Sequence, residues 1–392
     1  MNRAQPRFVR YAGAACLAVL ALAACSKDSK KEAEPPAELV DLKPSLPVQR
    51  LWTDSVGGGG EKLRLSLGIA YQAGQVFAAG RDGKVEALDA ASGRSKWSVD
   101  TKLELSAGPG VGPGIVAVGT NDGDVVALDA ASGKKLWTVK VSGEVLSAPL
   151  VATDRVIVRS VDGRLRALSS TDGKELWSAE EPVPKLTLRG TAAPVVSGDT
   201  VLCGFDSGKV VAYALASGDL LWQAQVTTPH GRSELERLSD VDSAVRVAGN
   251  DAYAVGYQCR IEMIAMDSGQ VWWGRELSSY RGLAIDDDQV YVATGEGSVV
   301  ALRRRDGTVL WQQDGLKRRG LSAPVVDGKA IVVGDYDGYL HWLDRDSGKF
   351  VAREHPGGAR ISAPPIAADG RVYVIDDGGK VAAFRSGTGK GG

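Results

Sequence analysis

Six tryptophans sit at one fixed place in a recurring segment, and that recurrence constrains the fold more than any other feature. "DGKVEALDAASGRSKW" ends at Trp97, "DGDVVALDAASGKKLW" at Trp137 and "DGRLRALSSTDGKELW" at Trp177. "SGKVVAYALASGDLLW" ends at Trp222, "CRIEMIAMDSGQVWW" at Trp273 and "EGSVVALRRRDGTVLW" at Trp311. A seventh segment, "DGYLHWLDRDSGKFVA", places Ala352 where the others have tryptophan. A period near 40 residues is the signature of a repeat architecture in which each unit buries its apolar surface against its neighbours.

Each copy reads as four short strands. In the third copy these are "SAPLVA", "RVIVRS", "RLRALS" and "ELWSAE", with Asp162-Gly163 and Asp172-Gly173 between them. Asp-Gly supplies the positive φ that tight hairpin turns require. Alternating apolar and polar residues fit strands with one face in a core. Four-stranded units of this length are propeller blades. The tryptophans are expected to pack between neighbouring sheets, each N–H finding a backbone partner. Ala352 predicts a looser seam after the seventh blade.

An eighth copy begins at 361, "ISAPPIAADGRVYVIDDGGKVAAFRSG", and lacks a fourth strand. Upstream, "QRLWTDSV" (49–56) is a fourth strand with no copy before it. If the N-terminal strand completes the last blade, the ring closes and an exposed sheet edge disappears. The prediction is an all-β, eight-bladed β-propeller of four-stranded antiparallel blades over residues 48–387, with Trp52 taking the part of Trp137.

The N-terminus reads differently. Arg3, Arg7 and Arg10 precede an apolar run, "AGAACLAVLALAA", too short to remain as a membrane span. It ends in "LAAC", which resembles the bacterial lipobox. That resemblance implies a signal peptide over residues 1–24 and lipidation of Cys25, and Ser26 after the cysteine implies the outer membrane. Residues 25–47 are then the lipidated N-terminus and a polar, proline-containing flexible tether. The tail 388–392 is expected to be disordered.

Composition narrows the function. The formal net charge of −1 gives no suggestion of a nucleic-acid partner. Cys203 lies in a strand-like run and Cys259 where other copies have a turn glycine, and nothing in their spacing calls for a disulfide. The three histidines, His230, His341 and His355, share no metal-ligand spacing. "DDD" at 286–288 reads as a solvated turn. No phosphate-binding loop and no nucleophile with a neighbouring base is visible. The sequence therefore points to a non-catalytic protein with no cofactor and no metal.

Loop length locates a candidate site. Most connections between blades are short, but 181–190, "EPVPKLTLRG", and 226–241, "VTTPHGRSELERLSDV", are extended. They follow consecutive blades, so they are neighbours on one face of the ring. Long loops on a rigid scaffold commonly carry function. Leu186 and Leu188 alternate with Lys185, Thr187 and Arg189. As an extended segment they present either an apolar anchor beside a charged clamp, or leucines tucked beneath the loop. Asp240 and Asp242 flank Val241, as a turn or cap, or as partners of Arg189.

The segment "ALDAASGKKLW" resembles the tryptophan-docking motif of the PQQ-type propeller repeat, over residues 49–387. Two families use that repeat: quinoprotein dehydrogenases and BamB, the lipoprotein family of the outer-membrane β-barrel assembly machinery. The dehydrogenases carry a vicinal cysteine pair that this chain lacks. "LTLRG" (186–190) and "RLSDVD" (237–242) resemble the BamB segments that contact BamA through its POTRA domains. The resemblance implies partner-binding roles for Leu186, Leu188, Arg189, Asp240 and Asp242, a scaffold role in the BAM complex, and an outer-membrane, periplasm-facing location by lipid anchor. Nascent outer-membrane proteins are a further partner it suggests. The alternatives are a PQQ-dependent dehydrogenase-like enzyme and a propeller that binds another envelope component such as peptidoglycan.

Overall fold

A computed structural model describes residues 34–58, 66–188, 190–227, 232–258 and 260–387. The expected signal peptide, Cys25, Arg189, His230, Cys259 and the tail 388–392 lie outside the described residues. The chain divides into two units, 1–36 and 37–392, and of the first only the exposed residues 34–36 are described.

The larger unit is built of strands and turns, with no helix among the described residues. Seven blades follow in order at 69–100, 105–140, 150–180, 195–225, 246–276, 283–313 and 325–354. The eighth takes three strands from 366–386 and its outermost from Val48–Ser55, which runs antiparallel to Lys380–Ser386. The closure expected from the orphan "LW" strand is therefore present. Blade 2 carries one addition: Ser66–Leu67 lies parallel to the start of its first strand.

The strands differ in burial for a simple reason. Third strands such as Arg164–Ser169 are buried along four consecutive residues, because blades stack face to face and cover both sides. Alternation survives only in fourth strands such as Glu175–Glu180, on the rim. Every fourth strand shifts register just before its tryptophan position, as at Ala167/Leu168 in blade 3 and Arg50/Trp52 in blade 8. The bulge turns the preceding side chain outward, which is why Leu136, Leu176 and Trp272 are exposed.

The bulge also aims each tryptophan at the next blade. Trp137 Nε1 donates to the Ser170 carbonyl at 2.8 Å, and its ring covers Gly173, which holds φ +74° in the turn of blade 3. A Cβ at Gly173 would lie 2.9 Å from the indole, so glycine serves both the turn and the contact. The same bond recurs from Trp52 to Ala90, Trp97 to Ala130, Trp177 to Leu215, Trp222 to Met266, Trp273 to Arg304 and Trp311 to Arg345. Trp52 thus closes the circle onto blade 1.

Blade 7 breaks the pattern with a physical cause. Its fourth strand would dock on the third-to-fourth turn of blade 8, and no such turn exists, because those two strands come from opposite ends of the chain. In place of the turn, Gly387 N–H donates to the Pro47 carbonyl at 2.8 Å. The seam is not loose, as Ala352 had suggested. Trp342, on the third strand of blade 7, is 0% exposed and meets Phe384 edge-on with centroids 5.8 Å apart. Leu46 and Val48 join the cluster that holds Ala352.

The stretch assigned to the tether is likewise not all clear of the ring. Ala37 N–H donates to the Lys317 carbonyl at 3.0 Å, and Ser45 and Leu46 N–H donate to the Val351 carbonyl. Arg353 reaches the Val40 carbonyl at 2.9 Å, and Leu39 packs against the core between blades 6 and 7. A leucine spaced along a polar run is enough to dock it where backbone donors find partners, so residues 37–47 form a strap along blades 6 and 7.

Candidate docking site

The two long connections leave the outer strands of blades 3 and 4 at Glu180 and Gln225 and return as the inner strands at Val195 and Arg246. They are joined by a clasp. The Leu188 backbone N–H donates to the Asp240 carboxylate, so the first loop is held from beneath by the second. Asp240 is 0% exposed. Its own carbonyl accepts the Tyr257 N–H at 2.9 Å. Val241, which follows, is buried in the core between blades 4 and 5, and its N–H donates to the Phe205 carbonyl at 3.2 Å. Asp242, partly buried, abuts Gly190: a Cβ added there would lie 3.3 Å from its Oδ2.

Of the residues read from sequence, the structure brings Leu188, Asp240 and Asp242 together. Leu186 stands outward at 43% exposure, while Leu188 is half-buried. Val183 and Leu235 add exposed apolar surface on the same two loops. Leu238 is buried and fastens the second loop to the ring. The partnership of Arg189 with the aspartates falls outside the described residues.

Two further residues underlie the clasp. Arg159, on the second strand of blade 3, is buried and places Nη2 3.2 Å from Asp206 Oδ2. Its guanidinium lies 4.6 Å over the Phe205 ring. Asp206, Asp240 and Asp242 form a carboxylate group that the interior penalises. Burial pushes Asp240 up to about 6, with the Leu188 N–H opposing and Asp206 adding to the rise. Burial raises Asp242 well above the carboxylate range, with Asp240 and Asp206 adding and Arg159 opposing. Asp206 is raised by burial against the same arginine. Among the described residues, one oxygen each of Asp240 and Asp242 has no hydrogen-bond partner.

Arg159 was visible in the repeat. The equivalent second-strand positions hold Ala79, Gly119, Gly204, Val255, Ala293, Gly334 and Ile375, so it is the one charged residue in that register. Asp206 gives no such signal among the many turn aspartates.

Among the described residues, the histidines, the free thiol and the Asp286 turn have local partners or burial. His341 is buried against Asp335, and His355 contacts the Asp337 carbonyl. Cys203 is a free, buried thiol that burial pushes up to about 12. Asp286 is held in a turn by the N–H groups of Asp288 and Gln289 and by the Tyr291 hydroxyl.

Comparison with known proteins gives one consistent answer. A family model described as "Outer membrane protein assembly factor BamB" matches residues 81–313 and 295–391. The chain is 48% identical over 382 residues to the outer membrane protein assembly factor BamB of Marinobacter adhaerens, covering 97% of each. It is 44% identical over 377 residues to that of Pseudomonas aeruginosa, covering 96% of this chain and 99% of the other. The crystal structure of BamB from Moraxella catarrhalis superposes with a TM-score of 0.80 at 29% identity, over 86% of this chain and all of that one. Quinohemoprotein alcohol dehydrogenase from Comamonas testosteroni, at 13% identity and TM-score 0.67, covers 89% of this chain and 78% of its own, and shares the fold alone. The chain belongs to the BamB family of outer membrane protein assembly factors.

Proposed function

We propose that this chain is a non-catalytic scaffold lipoprotein of the β-barrel assembly machinery, docked through its two long loops onto the POTRA domains of BamA. The observation that carries the reading is the clasp between Leu188 and Asp240. A rigid ring that spends a buried carboxylate on one loop amide has fixed the shape of that loop, and pre-shaped loops bind with less ordering cost. Leu186 is the exposed side chain offered to the partner, and the family resemblance adds Arg189. Leu188 and Asp240 hold the first loop in place, with Asp242 beside Gly190. Lipid on Cys25 keeps the propeller at the periplasmic face of the outer membrane, where it orients the POTRA arm and meets nascent outer-membrane proteins. The chemistry is binding, with no cofactor.

The test is a pull-down of purified BamA periplasmic domains with the wild-type chain, Arg189→Glu, and Asp240→Ala combined with Asp242→Ala. Each variant is first shown to melt cooperatively. Capture by wild type and loss with both variants supports the reading. Equal capture of all three, or no capture by wild type, removes it.

A further inference from the structure

We infer that Arg159 is a positioning residue for the docking loops: its buried guanidinium supplies the charge that lets Asp206, Asp240 and Asp242 stay together beneath them. The inference rests on the docking role proposed above and adds residues that lie outside both loops.

The geometry makes Arg159 the base of the clasp. Its guanidinium covers Phe205 and bonds Asp206, and the Phe205 carbonyl is the acceptor for Val241, between the two loop aspartates. One residue of blade 3 thereby supports a ledge of blade 4 on which the second loop rests, and that loop in turn holds Leu188 of the first. Another Arg159 N–H donates to the Ser160 carbonyl, anchoring the guanidinium to its own strand. Three carboxylates crowded at low exposure repel one another and lose hydration. Arg159 opposes that cost at both Asp206 and Asp242. Without it, the group is relieved by taking up protons or by moving a loop aspartate out to water. The second route breaks the bond to Leu188.

The measurement is amide hydrogen exchange at Leu188 in the full-length chain at pH 7.5, which needs no partner. Arg159→Met removes the charge and keeps the bulk. Exchange at Leu188 should rise about tenfold or more, the equivalent of one charged hydrogen bond, while amides in the third strand of blade 6 stay unchanged. Arg159→Met combined with Asp206→Asn removes both charges and should return Leu188 to within about threefold of wild type. Arg159→Lys should do the same alone. Unchanged exchange in Arg159→Met, or a double variant as fast as the single, overturns the inference, since packing alone would then account for the residue. If Arg159→Met does not fold, Asp206→Asn alone decides: slower exchange at Leu188 supports the charge argument and faster exchange overturns it. If Leu188 responds as expected but BamA periplasmic domains bind Arg159→Met as they bind wild type, the positioning stands and the docking role falls.

Discussion

Two arginines are buried on opposite sides of the ring, and they differ in how completely their surroundings are satisfied. Arg319 lies between blades 6 and 7. Its Nε bonds Asp335 at 2.7 Å, one Nη bonds Asp337 at 2.8 Å, and the other bonds the Ala37 carbonyl of the strap at 3.1 Å. His341 completes the group: Nδ1 accepts from Arg353 and Nε2 therefore donates to Asp335. Burial pushes the imidazole down, so it is neutral at physiological pH. Burial also pushes the Asp335 carboxyl up, but His341, the Tyr339 N–H and Arg319 together hold it below its usual range. At Arg159 the balance runs the other way. Among the described residues three aspartates share one cation and two of their oxygens lack partners, and all three carboxyls are raised. A cluster whose carboxylates are held low by cations and N–H donors fastens the chain to itself, whereas one whose carboxyls are all raised marks a candidate place where structure has been traded for function.

The largest effect expected from this contrast is at the satisfied pole. Arg319→Met leaves two aspartates without their cation and frees the strap at Ala37. A loss of about 3–5 kcal/mol in urea unfolding is expected. A loss under about 1 kcal/mol would mean that the strap and its acids hold without the arginine, and the contrast would fail.

Next in size are two substitutions of opposite sign. Asp335 is held low in the folded state, so its contribution is present at neutral pH and is lost as pH falls through its folded pKa. Asp335→Asn should cost about 1.5–3 kcal/mol at pH 7.5, and less as acid neutralises the wild-type carboxyl. Asp240 is the reverse. Its folded value near 6 lies above the ordinary one, so the folded state holds the proton more tightly than the unfolded chain. That advantage is full at low pH and disappears as pH rises through about 6. Asp240→Asn keeps an oxygen for the Leu188 N–H and removes the buried charge. It should stabilise the protein by about 1–2 kcal/mol at pH 7.5 and leave it unchanged at pH 4. Unfolding of both variants at the two pH values tests the pair, and the same sign at pH 7.5 would erase the distinction.

The ring itself is legible in the sequence. A repeated tryptophan, Asp-Gly turns and an orphan "LW" strand are local signals, and together they specify eight blades and how they close. The seam after blade 7 was misread because Ala352 looks like a deletion. The need for tryptophan depends on a turn in the next blade, and blade 8 has none because its third and fourth strands are not consecutive in the chain. Residues 37–47 look like linker because their docking uses backbone N–H groups, which composition does not show. At the candidate site the loops and the aspartates were legible from their length and from a family resemblance. The bond from Asp240 to a backbone amide was not, since residue types advertise side-chain pairs such as Asp with Arg189. Arg159 could have been found by aligning the copies against one another.

The smallest expected effect separates holding from binding. Leu186 is exposed, while its neighbour Leu188 supplies the amide held by Asp240. Leu186→Ser removes apolar surface that is in water in the free protein, so its effect on unfolding should stay within about 0.5 kcal/mol. Capture of BamA periplasmic domains should nevertheless fall about tenfold or more, as for an apolar anchor lost from an interface centre. The two measurements together are more informative than either alone. A large stability loss would show that Leu186 is packed beneath the loop and belongs with the satisfied side of the comparison. Unchanged stability with unchanged capture would move the contact surface to Val183 and Leu235. Unchanged stability with lost capture places Leu186 among residues the fold can do without and the partner cannot, the property that Arg319, buried and fully bonded, does not have.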